Sequence, residues 1–421
     1  MANAFNKEER VAFEQILEGF QDALVLSRNV NVYNTDSAMM ERANDTIWRP
    51  MPYISTSIDA ASGTDISASF KDFTQLSVPS SIGFNKAVPF SLTSKELRDQ
   101  LQEGRLGDAA KQKLASDINV AVMNVAANQG TMVVARSAAA SGFDDVAECE
   151  AVMNEAGISG DARYLALSTR DYNGMASNLA GRQNITDMSK SAYQKAYVGM
   201  IASFDTFKMD YANRIGANSA TVTMDTTGSL IDYVPEATST SVGGQVNVDN
   251  RYQQITVSTT TGVTAGDAFT VAGINAVHHI TKQDTGQAKT FRVISVDSGT
   301  TMTISPPMIS AGGATDAEEQ YQNITTTSTS ATAGLTFLNT TAASINPFWH
   351  RDAIELLPGR YSVPSDAGAA VLRAATDQGI ELVMTKQFDI NTHKTKYRID
   401  TLFGVTMVNP EMAGIMLFGQ V

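Results

Sequence analysis

Residues 247–267 read NVDNRYQQITVSTTTGVTAGD. Ile255 and Val257 alternate with polar residues, which is strand periodicity, and Gly262–Asp267 is turn chemistry. Outward from this stretch the pattern continues. Phe269 and Val271 resume the alternation and close a first hairpin. Phe291 and Val293, the turn Asp297-Ser298-Gly299-Thr300, then Met302 and Ile304 make a second. A Thr-rich β module therefore spans about 220–344, and its short strands with frequent turns indicate a small barrel or sandwich. Two long polar loops, Gly228–Val246 and Ala276–Gln287, are expected within it, and loops of that length are usually functional or mobile.

The flanks are of another kind. Residues 8–26 read as an amphipathic helix with Phe13, Ile16, Leu17, Phe20 and Leu24 on its apolar side. Glu14, Glu18 and Asp22 form an acidic stripe beside it, with Arg10 placed to pair Glu14. Residues 50–85 are punctuated by Pro50, Pro52, Gly63, Pro79 and Gly83. Gln75–Val78 and Ala87–Leu92 are expected to pair as a long, polar hairpin. Thr93 and Glu96 have capping-box spacing. A helix over Leu106–Gln129 follows, with Leu106, Ala110, Leu114, Ile118 and Val122 on one face and Gly130 as its stop, about 36 Å long. Shorter helices are expected over Asp144–Glu155, Thr169–Leu179 and Ser189–Val198. Mixed structure resumes from Ile345 to Val421. A β module between two dissimilar flanks reads as a domain inserted into a host.

Composition narrows the function. The chain has 421 residues, 43 % apolar and 18 % charged, with a net charge of −13. That length implies more than one core, and low charge suits a protein whose surface is covered by copies of itself. The acidity argues against binding nucleic acid through phosphate neutralisation and suits a basic protein partner. Cys149 is the single cysteine, so no intrachain disulfide is possible, and a buried apolar role is expected. The start MANAFNKEERVAF lacks the apolar core of a signal peptide, and no apolar run is long enough to span a membrane. Asn184, Asn323 and Asn339 begin Asn-x-Thr triplets, read as chance matches.

Catalytic patterns are missing. His278, His279, His350 and His393 offer no metal-binding spacing, and neighbours on a strand point to opposite faces. No nucleophile elbow, phosphate loop or dinucleotide fingerprint is present. No catalytic, cofactor-binding or metal-ligating residue is assigned, and the chain is read as a non-enzyme. Lys71, the only lysine between Pro50 and Asn85, raises the idea of an isopeptide crosslink but reads as a solvated lysine.

Several strings carry a resemblance. Asn44-Asp45-Thr46-Ile47-Trp48, the run at 247–267, NPFWHRDAI at 346–354, VAFEQILEG at 11–19 and PEMAGIMLFGQ at 410–420 resemble, in order and spacing, the coat proteins of the lambdoid short-tailed phages, the P-twenty-two group. The resemblance implies an α+β, Hong Kong 97-type capsid fold with an inserted small all-β barrel domain. It implies an N-terminal arm (1–35), an extended loop (50–86), and a peripheral domain with a spine helix (36–49, 87–137 and 380–421). An axial domain (138–221 and 346–379) and the insert (222–345) complete it. The implied function is a major capsid protein forming the icosahedral shell of a tailed double-stranded DNA phage, through a scaffold-dependent procapsid that expands on packaging. The implied location is the virion, after assembly in the bacterial cytoplasm. Implied partners are further copies in pentamers and hexamers, a basic scaffolding protein, a portal, and DNA enclosed without sequence-specific binding. No membrane partner and no cofactor are implied. Glu14 and Glu18 match acidic positions of the family's arm helix and are scaffold-binding candidates. The family uses the first long loop of the insert between capsomers, through charges at its tip. Here the tip Ser239-Thr240-Ser241-Val242-Gly243-Gly244-Gln245 is uncharged. Ser239, Thr240, Ser241 and Gln245 are contact candidates, and Asp232 and Glu236 are candidate anions, with Arg251 and Lys282 as their partners. Alternatives are a nanocompartment shell, which shares the fold, and an α+β hydrolase with a carbohydrate-binding β insert.

Overall fold

In a computed structural model of the chain, the structure describes residues 5, 7–33, 46–51, 65–67, 70–93, 100–181, 199–210, 212–225, 233–310, 315–325, 333–361 and 369–419. Glu96, Ser189–Val198, Asn44, Asp45, Asn184 and Asp232 lie outside them. The chain divides into two compact units.

The first unit comprises Met1–Ile47, Ser80–Val125 and Ile354–Thr406. Its sheet runs in the order Asn31–Val32, Ile354–Pro358, Lys394–Met407, Glu381–Asp389, Ala370–Ala375, with Phe84–Thr93 also pairing along Lys394–Met407. Lys394–Met407 is the organising strand. Thr395, Tyr397 and Ile399 alternate inward, and the stretch beyond them is buried throughout. Stacked rings fix the register of Phe84–Thr93 against it: Phe84 on Phe403 at 5.2 Å and Phe90 on Tyr397 at 5.3 Å. Gly404 is required where it stands, because a Cβ there would lie 2.3 Å from the Ser81 carbonyl oxygen. The arm helix, Lys7–Ala23, buries Phe13, Ile16 and Phe20, followed by Leu24. The spine helix, Gln100–Gln129, buries Ala110, Leu114, Ile118 and Val122, four residues of the predicted stripe.

The long hairpin expected over 75–92 does not form. Ser77–Ser81 pairs with Thr46–Pro50, while Phe84–Thr93 takes Lys394–Met407 as its partner. Alternation marks a strand with one buried face but does not name its neighbour, and the aromatic stacks are made with the distant strand.

The second unit comprises Trp48–Pro79, Ala126–Ala353 and Met407–Val421. Its host sheet runs Met132–Arg136, Ala413–Phe418, Asn346–His350, Arg163–Ser168, Phe204–Met209, Met200–Ile201. On one face, Met132, Val134, Leu165, Leu167, Phe348, Met416 and Phe418 form a core with the helices Phe143–Glu155 and Thr169–Gly181. Cys149 is fully buried in it. On the other face, Val133, Ile415 and Leu417 pack with Ala127, Ile215, Ala268, Ala343 and Ile345. The period of two along each strand divides the two cores. Within 346–379 and 380–421, Asn346–His350 and Ala413–Phe418 enter the second unit's sheet, and Ile354–Pro358 and Ala370–Ala375 the first's.

The β module is an antiparallel sheet ordered Val222–Thr223, Gly334–Phe337, Ala268–Val277, Asp284–Val296, Thr301–Ser305, Gln253–Thr256. Its outer strands meet. Met224 bridges Val257, Ser258 N donates to Thr223 O at 2.9 Å, and Asp225 N donates to Thr256 O at 3.1 Å. Phe269 stacks on Phe291 at 5.7 Å within a core that includes Ile255, Val257, Val293, Met302, Ile304 and Phe337. The second predicted hairpin is present, with Val293 opposite Ile304. The first is not: Gln253–Thr256 pairs with Thr301–Ser305 instead of Ala268–Val277. Both long loops are partly strand. Pairing across 276–287 reaches Val277 and Asp284, and the 228–246 loop contains a two-stranded ribbon. The segments entering and leaving the module pair directly, Ile215 with Ala343 and Arg214 with Ser344, as an insertion requires.

Candidate functional site

On the arm helix, Glu9 and the predicted pair separate. Glu9 is buried, ion-paired with Lys386 and accepting a hydrogen bond from Tyr397 Oη at 2.9 Å. Glu14 and Glu18 are exposed, as is Arg10. Among the described side chains, the helix thus keeps one carboxylate for the fold and leaves two on solvent.

The first long loop of the module is a ribbon, Thr238–Ser241 paired with Gly244–Asn247, and every one of these strand residues is exposed. The turn between them is Val242-Gly243. Asn250 anchors the base: its Oδ1 accepts from Glu236 N and Tyr233 Oη, both at 3.1 Å, and its Nδ2 donates to Glu236 O at 2.8 Å. Ser239, Thr240, Ser241 and Gln245 therefore stand on a supported, projecting element. Glu236 is exposed at its foot.

The two cations proposed as partners for that loop are committed within their own subunit. Arg251 is buried, pairs with Asp249 at 2.7 Å, and donates from Nη1 to Met407 O at 2.7 Å. Lys282 Nζ donates to Gln320 O at 2.9 Å and Gln322 O at 3.2 Å. Burial lowers its ammonium pKa to about 8. A sequence shows a cation's presence but not the carbonyls it folds against.

Around Lys282 lies a cluster of titratable groups. Lys289 pairs with buried Glu411, whose carboxylate also accepts from Asn323 Nδ2 at 3.3 Å. Burial pushes the Glu411 carboxyl up, but Lys289, His279 and Lys282 outweigh it and hold it below the ordinary range. Burial also depresses His279. His278 and His279 sit in a turn, where His278 Nδ1 accepts from Ile280 N and Thr281 N, both at 3.2 Å. Among the described residues no group of three or more His, Cys, Asp or Glu is placed to hold a metal ion. Lys71 is ion-paired with Glu319, and that bond raises its pKa. No described helix is long and apolar enough to cross a membrane.

Sequence reasoning missed the residues that join the module to its host. Arg292, fully buried, donates from Nε to Gly266 O at 3.0 Å, from Nη1 to Gly130 O at 3.3 Å and from Nη2 to Ala127 O at 3.2 Å. It thereby caps the C-terminal end of the spine helix, where a cation also meets the negative end of the helix dipole. Asp267 accepts from Asn218 at 2.6 Å, Asn339 at 2.8 Å and Thr264 N at 2.7 Å. Asn323 and Asn339, which begin Asn-x-Thr triplets, are buried polar hubs. The only signal available was an arginine in an otherwise apolar strand core, Phe291-Arg292-Val293.

The chain is similar to a solved structure from Mycobacterium phage Che8 at 10% identity, covering 93% of this chain and 90% of that one, TM-score 0.45. It is similar to the capsid structure of the Cyanophage P-SCSP1u at 9% identity, covering 93% and 86%, TM-score 0.43. Over 28% of this chain and 94% of the other it is 41% identical to the CUS-3 coat protein I-domain, TM-score 0.22. The family described as "P22 coat protein - gene protein 5" matches residues 1–419. That match displaces the hydrolase alternative and sets the function as structural: a major capsid protein that builds the icosahedral shell and resides in the virion. With residues 1–419 matched, the chain belongs to the P22 coat protein family.

Proposed function

We propose that shell assembly by this chain depends on a basic scaffolding protein recruited by the arm helix, and that the module's ribbon contacts a neighbouring capsomer. The observation that carries the first part is the division of carboxylates on Lys7–Ala23. Glu9 is consumed by Lys386 and Tyr397, while Glu14 and Glu18 face solvent four residues apart. Exposed ion pairs contribute about 0.2–1 kcal/mol each, so scaffold binding is weak, reversible and salt-sensitive, as suits a partner that has to leave. The ribbon's part rests on its projection and on its anchoring by Asn250. With Arg251 and Lys282 engaged internally, the contact is made by main chain and by Ser239, Thr240, Ser241 and Gln245, with Asp232 and Glu236 as flanking charges.

In this reading the β module is a barrel inserted into the capsid fold, DNA is enclosed without sequence-specific binding, a portal occupies one vertex, and the shell expands on packaging. The chain performs no chemistry. Co-expression with scaffold gives uniform particles of several megadaltons. The double replacement Glu14→Lys, Glu18→Lys is expected to lower scaffold content per shell at low salt while leaving the subunit's melting unchanged. Equal scaffold content in parent and variant shells removes the arm from this role.

A further inference from the structure

The ribbon's own ladder determines which of its main-chain groups remain available. Its paired residues are Thr238 with Asn247, Ser239 with Val246, Thr240 with Gln245 and Ser241 with Gly244. Val248 N donates to Ala237 O at 3.3 Å. In antiparallel pairs, bonded and non-bonded positions alternate. With 237/248 bonded, 239/246 and 241/244 are bonded in turn. The N–H and C=O of Thr238 and Thr240 on one edge, and of Gln245 and Asn247 on the other, therefore point away from the ribbon. No other described strand joins either edge.

Bare edges of this kind are ordinarily protected by Lys, Pro, bulges or covering loops. Here the run 237–248 contains no charged residue and no proline, and the register is unbroken. The chain as a whole carries a net charge of −13, which sets up repulsion between copies. This neutral ribbon is a place where two copies meet without that repulsion. An antiparallel edge is also self-complementary about a two-fold axis, the isologous contact by which identical subunits associate.

We propose that ribbons from two copies in neighbouring capsomers pair edge to edge. Thr240 lies opposite Thr240 of the second copy on a local two-fold axis, and a four-stranded sheet crosses the capsomer boundary. Each pairing is small, and the shell repeats it many times. The inference rests on the capsomer-contact reading above and adds its chemistry: main-chain hydrogen bonding in place of ion pairs.

Cysteine crosslinking tests it in assembled shells. Cys149 is fully buried, so Thr240→Cys adds the one accessible thiol. Facing residues on adjacent antiparallel strands lie about 5.5 Å apart at Cα, within disulfide reach. Mild oxidation is expected to convert most Thr240→Cys subunits into dimers on a non-reducing gel, whereas Thr261→Cys, exposed elsewhere on the module, stays monomeric. Thr240→Pro removes an outward N–H without touching the ribbon's own bonds, and its shells are expected to dissociate at lower denaturant. Thr240→Val keeps the N–H and its shells should match the parent. Absence of dimers together with parent-like Thr240→Pro shells overturns the strand pairing. If deletion of 238–245 then still disrupts shells, the capsomer contact survives and only its mode is wrong; if the deletion is silent as well, both fall.

Discussion

Replacing Arg292 by Ala removes the link between the β module and the end of the spine helix within the second unit. The guanidinium is fully buried and is the donor to three carbonyls, those of Gly266, Gly130 and Ala127. The Ala127 carbonyl has lost its regular helical donor, because Thr131 N is bonded to Ala413 O and Pro410 O instead. Each buried acceptor left without a partner costs about 1–3 kcal/mol. Two effects offset part of that sum. The cavity left by the side chain is polar and roomy enough for water, and a buried cation no longer has to be desolvated. Burial lowers Arg292 to about 10, so it remains charged at neutral pH and its loss also removes a charge from the helix C-terminus. The expected net loss is about 3–5 kcal/mol, a large share of the stability of an ordinary domain. Arg292→Lys keeps the charge but replaces a rigid fork with a point donor and is expected to lose about 2 kcal/mol. Urea denaturation of the unassembled subunit, followed by circular dichroism, measures both. A loss below about 1 kcal/mol for Arg292→Ala would refute the reasoning and place module docking in the apolar contacts of Ala127, Ala268 and Ile415.

Other outcomes follow from the same geometry. The fragment 222–345 is expected to fold alone, since its core is internal and its outer strands bridge each other at Met224 and Val257; a random-coil NMR spectrum would contradict this. Lys282 makes stability depend on pH. Its folded pKa, about 8, lies below the ordinary 10.5, so the folded state prefers the neutral amine and the destabilisation, complete below pH 8, fades as pH rises toward 10.5. The parent's urea midpoint should therefore gain on that of Lys282→Met between pH 8 and 10; a constant gap would show that Lys282 titrates normally. Deleting 238–245 is expected to leave the monomer's melt intact, because these residues are exposed, while reducing shell yield in electron micrographs.

The helices were legible because a buried stripe repeats with the helical period: Phe13, Ile16 and Phe20 on the arm, and Ala110, Leu114, Ile118 and Val122 on the spine. The hairpin through Asp297–Thr301 was legible because turn and strands are contiguous. Strand partners across long separations were not. Phe84–Thr93 reads the same whether it pairs with 75–78 or with 394–403, and only the three-dimensional stacking of Phe84 and Phe90 selects. The polar residues that matter were the least visible. Arg251 and Lys282 read as free surface cations, and Asn323 and Asn339 as accidental triplets, because the carbonyls and amides they satisfy come from segments far along the chain.

Ala413–Phe418 lies between Met132–Arg136 and Asn346–His350 in the host sheet, and this order has a consequence for synthesis. An interior strand made so late leaves the sheet split during translation. The edge of Asn346–His350 waits roughly 3–14 s for residue 418 at 5–20 residues per second, and the edge of Met132–Arg136 waits several times longer. The module's strands, by contrast, are all made within one contiguous stretch and can close first. A nascent subunit therefore carries a finished module on an open host, with two unpaired apolar edges exposed to other nascent chains. Misassembly should concentrate in that interval, and a chaperone serving this protein would have most to do between the emergence of residue 350 and that of residue 418.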